Sequence, residues 1–158
     1  METQSERFPG TKGIVLYKSK YGATKRYAEM LVSAVLFDIA DISKVNVRDL
    51  KDYDVIVYGG GIYASGIAGL GFLKKNMKNL LGKRIILFCV GASPYSEKAY
   101  DEIRNKNLTG ALSNVPLYYC RGAWDRDKMT FVDRNLCKML YKAVSKKILR
   151  NMKSGRLL

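Results

Sequence analysis

Short, unbroken apolar runs alternate along the chain with segments whose apolar residues recur every three or four positions. The runs cover residues 14–17, 55–58, 85–90 and 117–120, the third within a strand predicted over 84–90. Each has the length of a strand and lacks polar alternation, so each is predicted to be covered on both faces. Between the first two runs, Tyr27, Met30, Leu31, Ala34 and Val35 share one face of a helix predicted over 23–37. Further helices are expected over 68–80, 96–105 and 130–150, and a weaker strand over 39–47. Strands alternating with helices imply an α/β fold with a parallel sheet. No repeat, low-complexity tract or linker interrupts the pattern. One domain over 13–150 is therefore expected, with 1–12 as a loose lead and 151–158 as a basic tail.

In such a sheet a ligand sits outside the carboxyl ends of the strands. The loops at 19–24, 59–66, 91–96 and 121–127 are thus expected to converge on one site. The first holds Ser19, Lys20, Tyr21, Gly22, Ala23 and Thr24. It leads into a helix N-terminus, where free N–H groups and the helix dipole favour a phosphate. It reads equally as a plain capped turn, and it contains neither a Walker A loop nor a Gly-x-Gly-x-x-Gly fingerprint. The second loop holds Gly59, Gly60, Gly61, Ile62 and Tyr63. Its glycines let the backbone approach a ligand, and Tyr63 can stack on a flat ring; a flexible turn with an exposed tyrosine is the alternative. The third holds Gly91, Ala92, Ser93, Pro94 and Tyr95, and the fourth Gly122, Ala123 and Trp124. Three aromatics beside a phosphate-type loop point to a planar phosphorylated ligand. No magnesium-binding carboxylate accompanies the first loop, so flavin mononucleotide (FMN) fits better than ATP.

Composition narrows the chemistry. The 158 residues contain no histidine, which excludes imidazole-based triads and metal sites. Cys89, Cys120 and Cys137 form no Cys-x-x-Cys pair and read as inert thiols of a reducing compartment. The first twelve residues lack the apolar core of a secretory signal, so a cytoplasmic protein is expected. No metal site is expected, and no side chain stands out as a catalytic acid or base. The charge is unusual: 28 basic against 14 acidic residues, a net +14. Residues 121–158 carry 11 of the basic and 3 of the acidic ones, and Arg134, Lys138, Lys142, Lys146 and Arg150 recur every four positions. That stripe reads either as a solvated helix face or as a surface for peripheral contact with an anionic membrane or acidic partner. It lacks the interleaved aromatics that would suit nucleic acid.

The sequence IVLYKSKYGATKRY (14–27) resembles the first strand and phosphate loop of flavodoxin-domain proteins, and DVIVYGGGIYASGI (54–67) is similar to their second flavin loop. The sequence FVDRNLCKMLYKAV (131–144) resembles a segment of the menaquinone-linked protoporphyrinogen oxidase branch of that superfamily. Together the resemblance spans 13–147. It implies a flavodoxin-like three-layer sandwich with parallel strand order 2-1-3-4-5 and FMN as cofactor. It further implies that Ser19, Lys20, Tyr21, Gly22, Ala23 and Thr24 hold the phosphate, and that Gly60, Gly61, Ile62 and Tyr63 line the isoalloxazine. Residues 91–95 would form the other wall, and Gly122, Ala123 and Trp124 would close the edge. The expected activity is that of an FMN oxidoreductase acting on a porphyrinogen or quinone. The alternative is a non-catalytic electron carrier serving a redox partner protein. Electron-carrier flavodoxins are strongly acidic, so the +14 charge favours the first and predicts a higher reduction potential.

Overall fold

The computed structural model of the chain describes residues 11–121. Five strands form a parallel sheet: β1 (Gly13–Lys18), β2 (Asp38–Asp41), β3 (Val55–Tyr63), β5 (Arg84–Gly91) and β6 (Leu117–Arg121). Their order is β2-β1-β3-β5-β6, and a two-residue strand, β4 (Gly66–Ile67), pairs antiparallel with the end of β3. Without that hairpin strand, the order is the expected 2-1-3-4-5. Helices α1 (Ala23–Val35), α2 (Leu70–Asn76) and α3 (Glu97–Asn107) fill the crossovers.

The apolar runs divide between two cores because successive side chains of a strand point to opposite faces. Val15, Val55, Val57, Ile86 and Phe88 pack with Tyr27, Ala28, Leu31 and Val35 of α1. Ile14, Leu16, Ile56, Tyr58, Ile85 and Leu87 pack on the other face with Leu70 and Leu73 of α2 and Ile103 of α3. A sheet buried on both sides explains why these runs carry no polar alternation. The result is three layers.

Several boundaries differ from the sequence reading, each for a local reason. Helix α1 stops at Val35, not at 37, because Leu36 turns left-handed (φ 59°) while its N–H still reaches the Val32 carbonyl. Phe37 is thereby released to pack over Gly13, where a Cβ would lie 2.4 Å from its ring. The weak strand expected over 39–47 shrinks to Asp38–Asp41. Asp41 then accepts from the Ser43 N–H, and Asn46 and Asp49 form a reciprocal capping box, so two short 3-10 turns replace the rest. Ser43 also holds the Asp41 carboxyl below its usual range, through its N–H first and its hydroxyl second. At this edge the Tyr53 hydroxyl donates to the Asp38 carboxylate, and burial, with that bond, pushes the Tyr53 phenol up to about 12. Strand β3 runs on through Gly59, Gly60 and Gly61 to Tyr63, where a loop was expected. The lead before residue 11, the helix expected over 130–150 and the tail lie outside the described residues.

Cys89 and Cys120 are buried in β5 and β6. Burial pushes the Cys89 thiol up to about 12. An acid whose pKa is raised on folding favours the protonated native state, so this site destabilises the fold as pH climbs from about 9 toward 12. In a Cys137→Ser chain, both remaining thiols should resist Ellman's reagent at about pH 8 and react fully once guanidinium unfolds the protein. Rapid labelling of the native chain would contradict their burial.

Candidate functional site

The carboxyl ends of β1, β3 and β5 bring three of the four expected loops to one edge of the sheet. The first leaves β1 at Lys18 and enters α1 at Ala23. Gly22 occupies the left-handed position (φ 95°) that a side chain would strain, and its N–H donates to the Ser19 hydroxyl at 3.1 Å. This closes the loop locally. No side chain caps the first turn of α1, and no acidic residue stands in it. Its N–H groups thus face the loop with the positive end of a thirteen-residue helix behind them. Thr24 is buried beneath, tying the loop to the core.

The second segment is the end of β3. Here the three glycines have separate jobs. A Cβ on Gly59 would fall 2.0 Å from the Phe88 ring, and one on Gly60 would fall 2.4 Å from the Ala68 carbonyl. Those two positions are glycine because of packing inside the strand, not because of a flexible loop. Gly61 differs: its nearest neighbour is Thr24 Oγ1 at 3.6 Å, an ordinary contact. It is the glycine that looks onto the phosphate-type loop.

Three of the large hydrophobic side chains left exposed among the described residues are tyrosines of these loops: Tyr21 (79%), Tyr63 (65%) and Tyr95 (61%). Exposure of a large apolar ring is the informative case, and here it clusters at the edge where the strand order reverses. Lys20 connects two of them. Its ammonium donates to the Tyr63 hydroxyl at 3.2 Å and lies 5.2 Å from the Tyr21 ring centre and 4.9 Å from that of Tyr63. The Tyr63 hydroxyl, followed by Tyr21, raises the Lys20 pKa further above its usual value, so the cation persists throughout the working pH range.

The third loop, 91–95, is braced from the side. The Tyr119 hydroxyl donates to the Ser93 carbonyl, and Tyr95 meets Tyr119 edge-on and Tyr100 at a tilt, with ring centres 6.0 and 5.9 Å apart. Gly91 is fixed between strands: a Cβ there would reach 2.6 Å from the Tyr119 hydroxyl and 3.1 Å from Ile62. The structure therefore brings together residues 19–24, Gly60, Gly61, Ile62, Tyr63 and the loop of Gly91, Ala92, Ser93, Pro94 and Tyr95. Gly122, Ala123 and Trp124 lie outside the described residues.

Sequence reasoning missed Tyr119, Lys106 and Asn107. Tyr119 sits in a strand, where a tyrosine reads as core. Asn107 ends a helix, where asparagine is commonplace, yet it is buried and reaches the hairpin after Tyr63. No local signal separates it from an ordinary helix terminus.

The donor set fits a phosphorylated, flat, ring-bearing ligand. The helix N-terminus, Ser19 and Thr24 supply N–H and hydroxyl groups without an opposing carboxylate, Gly61 leaves room beside them, and exposed rings flank the opening. Among the described residues no cluster of acidic or cysteine side chains could hold a metal ion, and no helix is long and apolar enough to cross a membrane.

Residues 14–148 match the family model for the flavodoxin domain. An uncharacterized protein of Methanocaldococcus jannaschii is 27% identical over 115 residues, which is 70% of this chain and 75% of that one. Among solved structures, oxidised flavodoxin 2 of Bacillus cereus aligns with a TM-score of 0.58 at 15% identity, over 84% of this chain and 99% of that one. A flavodoxin from the domain Archaea aligns at 0.56 and 18% identity, over 87% and 99%. Two-electron reduced flavodoxin of Megasphaera elsdenii aligns at 0.53 and 18%, over 80% and 98%. At these identities the structural likenesses speak for the fold.

Proposed function

The chain belongs to the flavodoxin-domain family, and from that premise we infer that it is an FMN-binding redox protein whose cofactor lies across the β1 and β3 loops. One observation carries this reading. An uncapped helix N-terminus behind Gly22 stands beside the exposed Tyr63, with Lys20 spanning the two, where this strand order reverses direction. FMN, once bound, supplies the storage of one or two electrons; the protein supplies binding, orientation and electrostatics. The first-turn N–H groups, Ser19 and Thr24 hold the phosphate. Gly61 lets the chain approach it closely, and Tyr63 covers the flat ring. Tyr95, braced by Tyr119, stands at the opposite wall.

Lys20 keeps a positive charge at the mouth of the site. A nearby cation favours the added negative charge of a reduced ligand. Lys20→Gln is expected to lower the midpoint potential of the bound cofactor, and the difference should shrink as salt rises. Spectroelectrochemical titration at two salt concentrations checks this, and a potential that rises or stays fixed would contradict it.

The finer reading is an oxidoreductase acting on a porphyrinogen or quinone, with a cytoplasmic or membrane-peripheral location. It rests on the resemblance of residues 131–144 and on the excess of 28 basic over 14 acidic residues. A carrier serving a redox partner protein is the alternative. The deciding experiment is the absorption spectrum of the purified protein, followed by anaerobic reduction and reoxidation with a quinone or a porphyrin precursor. A flavin spectrum is expected. Reoxidation by the small molecule at a catalytic rate supports the enzyme; reoxidation only by a protein acceptor supports the carrier; failure to take up FMN overturns both.

A further inference from the structure

Strand β3 does not end freely at Tyr63. The chain turns through Ala64 (φ 47°) and Ser65 (φ 64°) and returns as β4, pairing Tyr63 with Gly66 and Ile62 with Ile67. Two successive positive φ values define the mirror-image hairpin turn that normally carries Asn-Gly. Alanine and serine have a Cβ there, and each is strained in that conformation. A hairpin with a two-residue return strand has almost no stability of its own. Something else must hold it.

We propose that Asn107, assisted by Lys106, is a positioning residue that clamps this strained hairpin and thereby sets where Tyr63 stands over the cofactor site. The inference rests on the FMN reading for its functional meaning, but the clamp itself is independent of it. Asn107 is 6% exposed, and its side-chain amide acts as a surrogate strand. Its Oδ1 accepts from the Ile67 N–H at 3.0 Å, and its Nδ2 donates to the Ser65 carbonyl at 2.7 Å. Those are the backbone groups that a neighbouring strand would pair, two residues apart in the chain. The second Nδ2 proton goes to the Ile103 carbonyl at 2.7 Å, fixing the side chain to its own helix. Lys106 donates to the Ala64 carbonyl at 2.5 Å from the exposed side. Thus the last two residues of α3 hold three backbone groups of the hairpin, at Ala64, Ser65 and Ile67. On the far side the Tyr58 hydroxyl donates to the Ala68 carbonyl at 2.6 Å, and the Ala68 N–H donates to the Gly61 carbonyl at 2.9 Å. The segment from Gly61 to Ala68 is therefore gripped at both ends, and Tyr63 stands on β3 immediately before its turn.

Removing the amide takes the partner from the buried Ile67 N–H and from the part-buried Ser65 carbonyl, while the turn strain remains. The test uses the full chain and reads amide hydrogen exchange in the FMN-free protein alongside FMN affinity by fluorescence quenching. In Asn107→Ala, exchange at residues 63–67 should rise at least tenfold while β1 and β5 keep their protection, and FMN should bind about tenfold more weakly. Adding Ala64→Asn with Ser65→Gly gives the turn its preferred sequence and should recover most of the lost affinity without restoring the amide. A role confined to general stability would instead raise exchange in β1 and β5 as much as at residues 63–67. Lys106→Met, at an exposed position, should speed exchange at the turn severalfold in a chain that folds, which keeps the test open if Asn107→Ala does not fold. Unchanged exchange at 63–67 in both variants, or wild-type FMN affinity in Asn107→Ala, overturns the clamp. A parent chain that binds no FMN overturns the flavin reading instead, while the exchange arm still decides the clamp.

Discussion

Ser19→Asp is expected to fold like the parent and to bind FMN roughly a hundredfold to a thousandfold more weakly. The substitution keeps the local geometry and reverses only the electrostatics. Ser19 Oγ accepts the Gly22 N–H at 3.1 Å, and an aspartate oxygen can accept the same bond, since both residue types close such turns. A carboxylate next to the first turn of α1 is also on the favourable side of the helix dipole, so thermal stability of the cofactor-free chain should hold or rise slightly. A phosphate dianion meets that carboxylate as a like charge. At about 4 Å and an effective dielectric near 20, one such pair repels by about 4 kcal/mol, enough for the stated loss. Riboflavin, which has no phosphate, provides the control: its affinity should not change. Isothermal titration with both ligands separates the outcomes. Equal FMN affinity in parent and variant would remove the phosphate from this loop.

Gly60→Ala is expected to be the most damaging single methyl in the site, lowering the unfolding midpoint by roughly 5–10 °C and weakening FMN binding with it. The added Cβ would lie 2.4 Å from the Ala68 carbonyl oxygen and 2.8 Å from Ile67. The first is backbone, already accepting from the Tyr58 hydroxyl, so it cannot swing away cheaply. Overpacking of this kind costs about 1–3 kcal/mol, and for a chain of this length each kcal/mol moves the midpoint by roughly 2–4 °C. The hairpin would have to separate from β3. The adjacent Gly61→Ala supplies the contrast, because its Cβ stops 3.6 Å from Thr24 Oγ1. That variant should melt close to the parent and lose FMN affinity selectively. Paired thermal scans with and without FMN distinguish the two. Equal damage from both would mean that the two glycines do not divide fold from site.

The difference between these neighbouring glycines marks the limit of what the sequence carries. The strands over 55–58 and 84–90 were legible because a strand covered on both faces needs an unbroken apolar run. The site's edge was legible because strand ends in a parallel sheet face one way, and Tyr21, Tyr63 and Tyr95 indeed stand exposed there. The continuation of β3 through Gly59 and Gly60 was not legible, since glycine is a poor strand former. Only Phe88 and Ala68, brought alongside by the fold, explain why those positions carry no side chain. The hairpin was hidden for the converse reason. Ala64 and Ser65 are the wrong residues for such a turn, and the groups that impose it, on Lys106 and Asn107, come about forty positions later. Tertiary contacts there override local preference, and single-chain periodicity does not report them.

Strand β2 has a consequence beyond the site. It is four residues long, lies at one edge of the sheet among the described residues, and is bounded by Asp38 and Asp41. Beyond it, the backbone leaves the sheet plane at once through side-chain-capped turns. An incoming strand from another molecule would find few open backbone groups there, flanked by carboxylates it must desolvate. Brevity and charge thus give this border of the sheet resistance to edge-to-edge aggregation, although Ile39 stands exposed in the middle of it.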